Sequence, residues 1–223
     1  MVKKNRNGYI PALRYDWLTS VYDPLLRWAI RESTFKSDLV EQAQIRKGHK
    51  VLDLGCGTGT LTVLIKKVHP ESEVAALDGD PKALQIAGAK TVKACVDVAL
   101  HHGMAFELPY ADGSFDRVLS SLLFHHLTRE SKRRTLREVF RVLRPGAELH
   151  VADWGKAQNP FMRLAFFAVQ LLDGFETTSD NVRGRLIPLM QGTGFIGVVE
   201  TSRMMTAFGT LSFSRAVKPP SVP

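Results

Sequence analysis

Residues 51–60 read Val51-Leu52-Asp53-Leu54-Gly55-Cys56-Gly57-Thr58-Gly59-Thr60. Val51 to Leu54 is a short apolar strand, and a helix from about Thr58 to Val68 opens behind it. Between them the glycines let the backbone turn sharply and approach a ligand closely, at the point where a helix N-terminus begins. Downstream the alternation repeats. Glu73 to Leu77 reads as a second strand, and Pro81 sits at the favoured first turn of the next helix. Val96 to His101 and Arg117 to Ser120 read as strands three and four. A helix over about Arg129 to Val142 stops before Pro145-Gly146, and Glu148 to Ala152 makes a fifth strand. Strands alternating with helices predict a parallel sheet covered on both faces.

The flanks differ. From Tyr15 to Arg46 the spacing of Leu18, Val21, Leu25 and Trp28 predicts two helices, with Pro24 breaking or restarting the first. After the fifth strand come an apolar helix (Phe161 to Leu172) and a second helix (about Asn181 to Gln191). Two β-rich runs follow, Phe195 to Thr201 and Met205 to Val217. The short connection at Ser202 to Met204 predicts that they pair antiparallel. This divides the chain into a helical cap or extension (1–46), an α/β domain (47–217) and a tail (218–223).

A chain of 223 residues, 44% of them apolar, suits one α/β domain. The basic start lacks an apolar h-region, so no secretory leader is expected. Phe161 to Leu172 is too short for a bilayer, which needs about 20 residues. Cys56 and Cys95 supply neither a disulfide framework nor a metal cluster, and a soluble, cytoplasmic protein is expected. The formal charge of +8 gathers at Lys3, Lys4, Arg6 and Arg14, between Lys132 and Arg144, and toward the C-terminus. Such patches serve solubility, and they also suit nucleic acid, anionic lipid or an acidic substrate.

A glycine turn alone does not choose a ligand; Asp53 sharpens it. A pyrophosphate lying against the turn would be repelled by this carboxylate. The ammonium and sulfonium of S-adenosylmethionine would be attracted. The phosphate-binding pattern G-x-x-x-x-G-K-[ST] is missing. Asp78, at the end of the second strand, stands where a carboxylate accepts hydrogen bonds from a ribose diol. Its neighbour Asp80 suits an N-cap for the helix opened by Pro81.

VLDLGCGTG, ALDGDPKAL, ELPYADGSFDRVLSSLLFHHL and REVFRVLRPGAELHVAD occur in that order. Over about Tyr15 to Gly194 the chain resembles the class I S-adenosylmethionine-dependent methyltransferases, in the small-molecule group related to ubiquinone/menaquinone C-methyltransferases. The resemblance implies a Rossmann-like α/β/α sandwich with a seven-stranded sheet of order 3-2-1-4-5-7-6, strand 7 antiparallel. It implies that Asp53, Gly55 and Gly57, with Cys56 and Thr58 of the same turn, line the methionine end of the cofactor. Asp78, beside Gly79, would hold the ribose, and the backbone at Ser120 and Ser121 would border the sulfonium. One position departs: relatives commonly carry an acid for the adenine amino group where this chain has Met104, a soft apolar contact and weak acceptor, leaving backbone at Ala105 as the alternative.

Methyl transfer from a sulfonium is an in-line displacement that needs a base only if the acceptor must lose a proton. His125 or His126, after the fourth strand, are the candidates, with pocket-shaping or capping as the plainer role. Asp153 lies past the fifth strand on the same rim and is a candidate for substrate contact. The resemblance implies that Tyr15 and Tyr22 belong to a cap over the cofactor; Phe166, in the apolar helix, suits a lid over a lipophilic acceptor, and core packing or dimerisation would equally cover that helix. Adjacent histidines do not easily converge on one ion and no His-x-x-x-His is present, so no metal is expected. The expected partner is a small-molecule methyl acceptor, with the protein a monomer or homodimer. Nucleic acid is not expected, and the aromatic, basic N-terminus leaves peripheral membrane contact open. The rival readings are a membrane-lipid methyltransferase acting on a phospholipid amine and a non-catalytic cofactor-binding scaffold.

Overall fold

Strand β1 (Lys50–Leu54) buries four consecutive residues, Val51 to Leu54, as a parallel strand covered on both faces must. The computed structural model to which it belongs describes residues 31–160, 162–164, 166 and 175–221. Tyr15, Tyr22 and most of the apolar run from Phe161 to Leu172 lie outside the described residues. After β1 come α2 (Thr60–Val68), β2 (Glu73–Asp78), α3 (Pro81–Lys93), β3 (Ala99–His102), β4 (Phe115–Ser121), α4 (Arg129–Val142) and β5 (Leu143–Trp154). Helix α1 (Glu32–Gln42) precedes them, and α5 (Phe175–Val182), α6 (Leu186–Thr193), β6 (Ile196–Thr206) and β7 (Gly209–Val217) follow.

The seven strands form one sheet of order β3-β2-β1-β4-β5-β7-β6. β1 to β5 pair parallel, and β7 runs antiparallel to both β5 and β6. The expected Rossmann-like sheet is therefore present. Among the described residues no helix is long and apolar enough to cross a membrane.

Each face of the sheet has its own core. Leu136, Val139 and Val142 of α4, with Leu186 and Met190 of α6, cover Leu52, Leu54, Val118, Leu149 and Val151. On the opposite face Phe35 and Leu39 of α1, with Leu61 and Ile65 of α2, cover Val51, Leu119, Ala152 and Phe213. Truncating the fully buried Phe35 to alanine would cost about 3–5 kcal/mol. Helix α1 is also tied by polar bonds: Gln42 contacts His150 at 3.0 Å, and Arg117 donates to the Ala43 carbonyl at 2.7 Å. Two arginines of the basic run between Lys132 and Arg144 are internally committed, Arg141 in α4 and Arg144 at the start of β5. Arg141 bonds Asp112 and the carbonyls of Leu108 and Tyr110, and Arg144 grips Asp116.

Several boundaries differ from the sequence reading, among them β5, which starts at Leu143 rather than Glu148, and three differences have a local reason. β3 begins at Ala99 rather than Val96, because the Val96 amide is used in closing α3 on the Thr91 carbonyl. The helix expected over Asn181 to Gln191 is two helices. Gly184, at φ +66°, breaks the chain while the Gly184 and Arg185 amides cap α5 at Asn181 and Asp180. The hairpin turn lies at Ala207-Phe208, and Ser202 to Met204 belongs to β6. Thr206 accepts from the Phe208 amide and donates to the Gly209 carbonyl, which fixes that turn.

Candidate active site

The parallel pairing brings the C-terminal ends of β1, β2, β4 and β5 side by side, and the glycine turn leaves the first of them. Gly55, Gly57 and Gly59 have φ of +72°, +53° and +74°, a region that costs an ordinary L-residue roughly 1–2 kcal/mol. The amides of Gly55 and Cys56 both donate to the Leu77 carbonyl, which fastens the turn to β2. Added methyl groups would have different fates. At Gly55 one would meet Leu123 Cδ1 at 2.8 Å, and at Gly59 it would meet Ala87 Cβ at 2.9 Å. At Gly57 it would meet nothing within 4 Å, so the turn presents open backbone there.

Two carboxylates flank this opening. Asp78 receives the Gly57 amide at 2.7 Å on one oxygen and the Asp80 amide at 2.9 Å on the other. Burial raises its pKa, and those amide bonds oppose the rise. Asp53 is 0% exposed. Its Oδ2 accepts from the Thr62 hydroxyl at 2.6 Å, whereas its Oδ1 is buried without a partner among the described residues. Burial pushes its pKa up to about 6, against the Thr62 hydrogen bond and the charge of Lys36. Asp80 caps α3 through the Lys82 amide at 2.9 Å.

The other expected cofactor contacts divide. The Gly103 amide donates to the Asp78 carbonyl, which sets half-buried Met104 and buried Ala105 beside the second strand's end. His102 touches the Gly79 carbonyl at 3.2 Å. Burial, and then the carboxylates of Asp53 and Asp78, keep the Cys56 thiol protonated. Thr58 precedes the helix, which starts at Thr60, and its hydroxyl accepts from Lys90 of α3 at 3.1 Å. Ser120 is buried with its hydroxyl on the Leu54 carbonyl at 3.0 Å, a bond between strands; half-buried Ser121 follows it at the end of β4. Next comes Leu122 at φ +54°, a strained position for leucine, held by its amide on the Ala152 carbonyl.

Beyond Leu122 a short 3₁₀ turn, Phe124–His126, carries the two histidines. His125 is 3% exposed, and its Nδ1 lies 2.8 Å from Asp153 Oδ1. The Asp153 carboxylate also accepts the backbone amides of Trp154 and His125, at 2.7 and 3.3 Å. Burial pushes the Asp153 pKa up, but His125, the Trp154 amide and Lys132 outweigh it and hold the carboxyl below its usual range. The His126 ring lies tilted at 41° against that of His125, with centroids 3.9 Å apart. His126 is half-buried at its surface, and desolvation by its packed surroundings, followed by the neighbouring His125, pushes its pKa down to about 3, so it is neutral at physiological pH. Phe166 is buried against Trp154 and Gly209, and Trp154 in turn lies edge-on to His125.

Sequence reasoning missed Lys132. It is 1% exposed, donates to the Thr177 carbonyl at 2.6 Å and carries a pKa lowered by burial against Asp153 and Asp180. Its signal was positional: Lys132, Leu136 and Val139 share one helical stripe, the face that α4 buries.

A family model described as a methyltransferase domain matches residues 51–146. The demethylmenaquinone methyltransferase of a Listeria monocytogenes strain is 32% identical over 156 residues, 69% of this chain and 63% of that protein. The chain thus spans less than two thirds of that relative's length. Among solved structures, an S-adenosylmethionine-dependent methyltransferase from Aquifex aeolicus superposes with a TM-score of 0.63 at 19% identity, over 82% of this chain and 89% of that one. A methyltransferase solved with the Haloferax volcanii Trm112 activator gives 0.68 at 19% identity, over 92% of this chain and 96% of that one. Likeness at such identities establishes the shared fold.

Proposed function

We propose, for a chain that belongs to the class I S-adenosylmethionine-dependent methyltransferases, that it methylates a small, lipophilic aromatic acceptor of the hydroquinone kind. The acceptor class is supported by the likeness to demethylmenaquinone methyltransferases. The observation that carries the reading is the buried Asp53 Oδ1, without a partner among the described residues, next to a turn whose Gly57 would admit a Cβ without contact. A buried carboxylate oxygen of this kind costs free energy until a donor reaches it, and an ammonium is suited to it.

S-adenosylmethionine, when bound, supplies a methyl group on a sulfonium, already activated for displacement. Asp53 would hold its ammonium and Asp78 its ribose hydroxyls, while the Gly55–Gly57 backbone lets it approach closely. His125 would take a proton from an acceptor hydroxyl, and Asp153 would fix the ring's tautomer and orientation and stabilise the charge it gains. His126, neutral and beside His125, would shape the pocket. Positioning is expected to supply much of the acceleration, up to about 7–11 kcal/mol in favourable cases.

Calorimetric titration with S-adenosylmethionine and S-adenosylhomocysteine tests the first half. Micromolar binding that collapses in Asp53→Ala is expected; no binding of either ligand by the folded wild type would overturn the reading. Transfer of labelled methyl to a short-chain demethylmenaquinol tests the acceptor. Binding without transfer to any hydroquinone or phenol would sink that half alone.

A further inference from the structure

A cavity of about 240 Å³ opens behind Asp153, between the α5–α6 turn and the β5-β7-β6 part of the sheet. Asp153, Lys156, Asn181, Arg183, Glu200 and Arg203 are among the residues that line it. Both acids are already committed. Asp153 accepts from His125 and the Trp154 amide, and Glu200 takes the Arg203 guanidinium and the Ser212 hydroxyl. Lys156 and Arg183 have no ion-pair partner among the described residues, which leaves uncompensated positive charge on this wall.

Asn181 supplies the independent observation. It is 2% exposed, yet neither its amide nitrogen nor its amide oxygen has a partner among the described residues. Buried amides are normally satisfied, so an orphaned one lining a cavity points to a ligand that completes it. An amide N–H₂ lining the same cavity as a guanidinium and an ammonium supplies the donor types that recognise an oxyanion. The amide oxygen can take a hydroxyl of the same group, such as that of a phosphate monoanion.

We infer that this cavity binds an oxyanion, the carboxylate or phosphate group of a small molecule, through Asn181, Lys156 and Arg183. The inference rests on the cavity and not on methyl transfer. The anion can come free from solution or be carried by the acceptor, because the cavity shares the Asp153 wall with His125.

The test is a titration of the ¹⁵N-labelled full chain at constant ionic strength with inorganic phosphate and, separately, with phenyl phosphate. Saturable shifts at the Gly155 and Gly184 amides and the Asn181 side-chain amide are expected. The Lys156→Gln/Arg183→Gln variant, altered only at exposed side chains, should weaken them at least tenfold. Shifts that never saturate, or that are unchanged in the variant, would overturn the inference. Phenyl phosphate reaching the His125 ring signals would mark the anion as part of an acceptor; shifts confined to the cavity with both ligands would mark a free anion. A parallel S-adenosylmethionine titration separates failure here from failure of the methyltransferase reading.

Discussion

The strand ends at β1 and β2 and those at β4 and β5 build their halves of the candidate site by opposite means. At β1 and β2 the backbone does it. Positive-φ glycines turn the chain, and Asp78 is held by the amides of Gly57 and Asp80. At β4 and β5 buried side chains do it, His125 against Asp153, with Lys132 behind them. A backbone-made site tolerates few changes of residue type but needs little from distant sequence. A side-chain-made site depends on the register of two strands, here Ser121 beside Ala152. It can be abolished or retuned by one substitution without disturbing the sheet.

The largest expected effect separates the two halves. His125→Ala should lower kcat by about 10²–10⁴-fold, the range for loss of a positioned base. Its cofactor affinity, read by calorimetry, should stay within about twofold of wild type by additivity of separated sites. A fall in affinity as large as the fall in kcat would merge the two regions into one cooperative unit. Gly57→Val is the converse. It should weaken the cofactor by at least about tenfold, and the left-handed φ should cost about 1–2 kcal/mol in chemical denaturation. Unchanged affinity in that variant would show that the cofactor does not approach the turn.

The pH dependence sharpens the backbone-made half. Asp53 in the folded protein holds its proton up to about pH 6, against 3.8 ordinarily. An acid with a raised folded pKa favours folding only while protonated. Stability of the cofactor-free protein should therefore fall as pH rises through that window, by about 3 kcal/mol at most. Ammonium binding needs the ionised form, so cofactor affinity should rise about tenfold between pH 5 and 7. Asp53→Asn should flatten that rise, and a rise that persists in the variant would assign it elsewhere. The smallest effect is at Met104. Restoring an acid there, Met104→Asp, should tighten the cofactor by about three- to tenfold through a charge-assisted bond to the adenine amino group. No change would leave adenine recognition to backbone.

The same contrast explains what could be read before any coordinates. The strand at Val51–Leu54, the turn behind it, Asp78 and the Asp80 cap are local, and their spacing alone carries them. The antiparallel final pair was legible too, but its turn was not, because Ala207-Phe208 contains no turn-forming residue and Gly209 follows it. His125 and Asp153 were each recognisable as rim residues. Their pairing was not, since the two stand 28 residues apart and meet only when β4 and β5 align. Lys132 falls within a basic run, and that charge masks its place on the apolar stripe that α4 buries.

Leu123 joins the two halves. Its side chain stands where a methyl at Gly55 would collide with it, and its backbone leads into the 3₁₀ turn that carries His125. Were ligand entry to shift the glycine turn, Leu123 would carry part of that shift to the histidine, and an affinity change beyond twofold in His125→Ala would be its sign. Coupling of this kind is reciprocal in free energy. If the first ligand makes the second bind tighter by some factor, the second must tighten the first by that same factor. The order in which the two arrive then governs the kinetics and leaves the ternary complex equally stable.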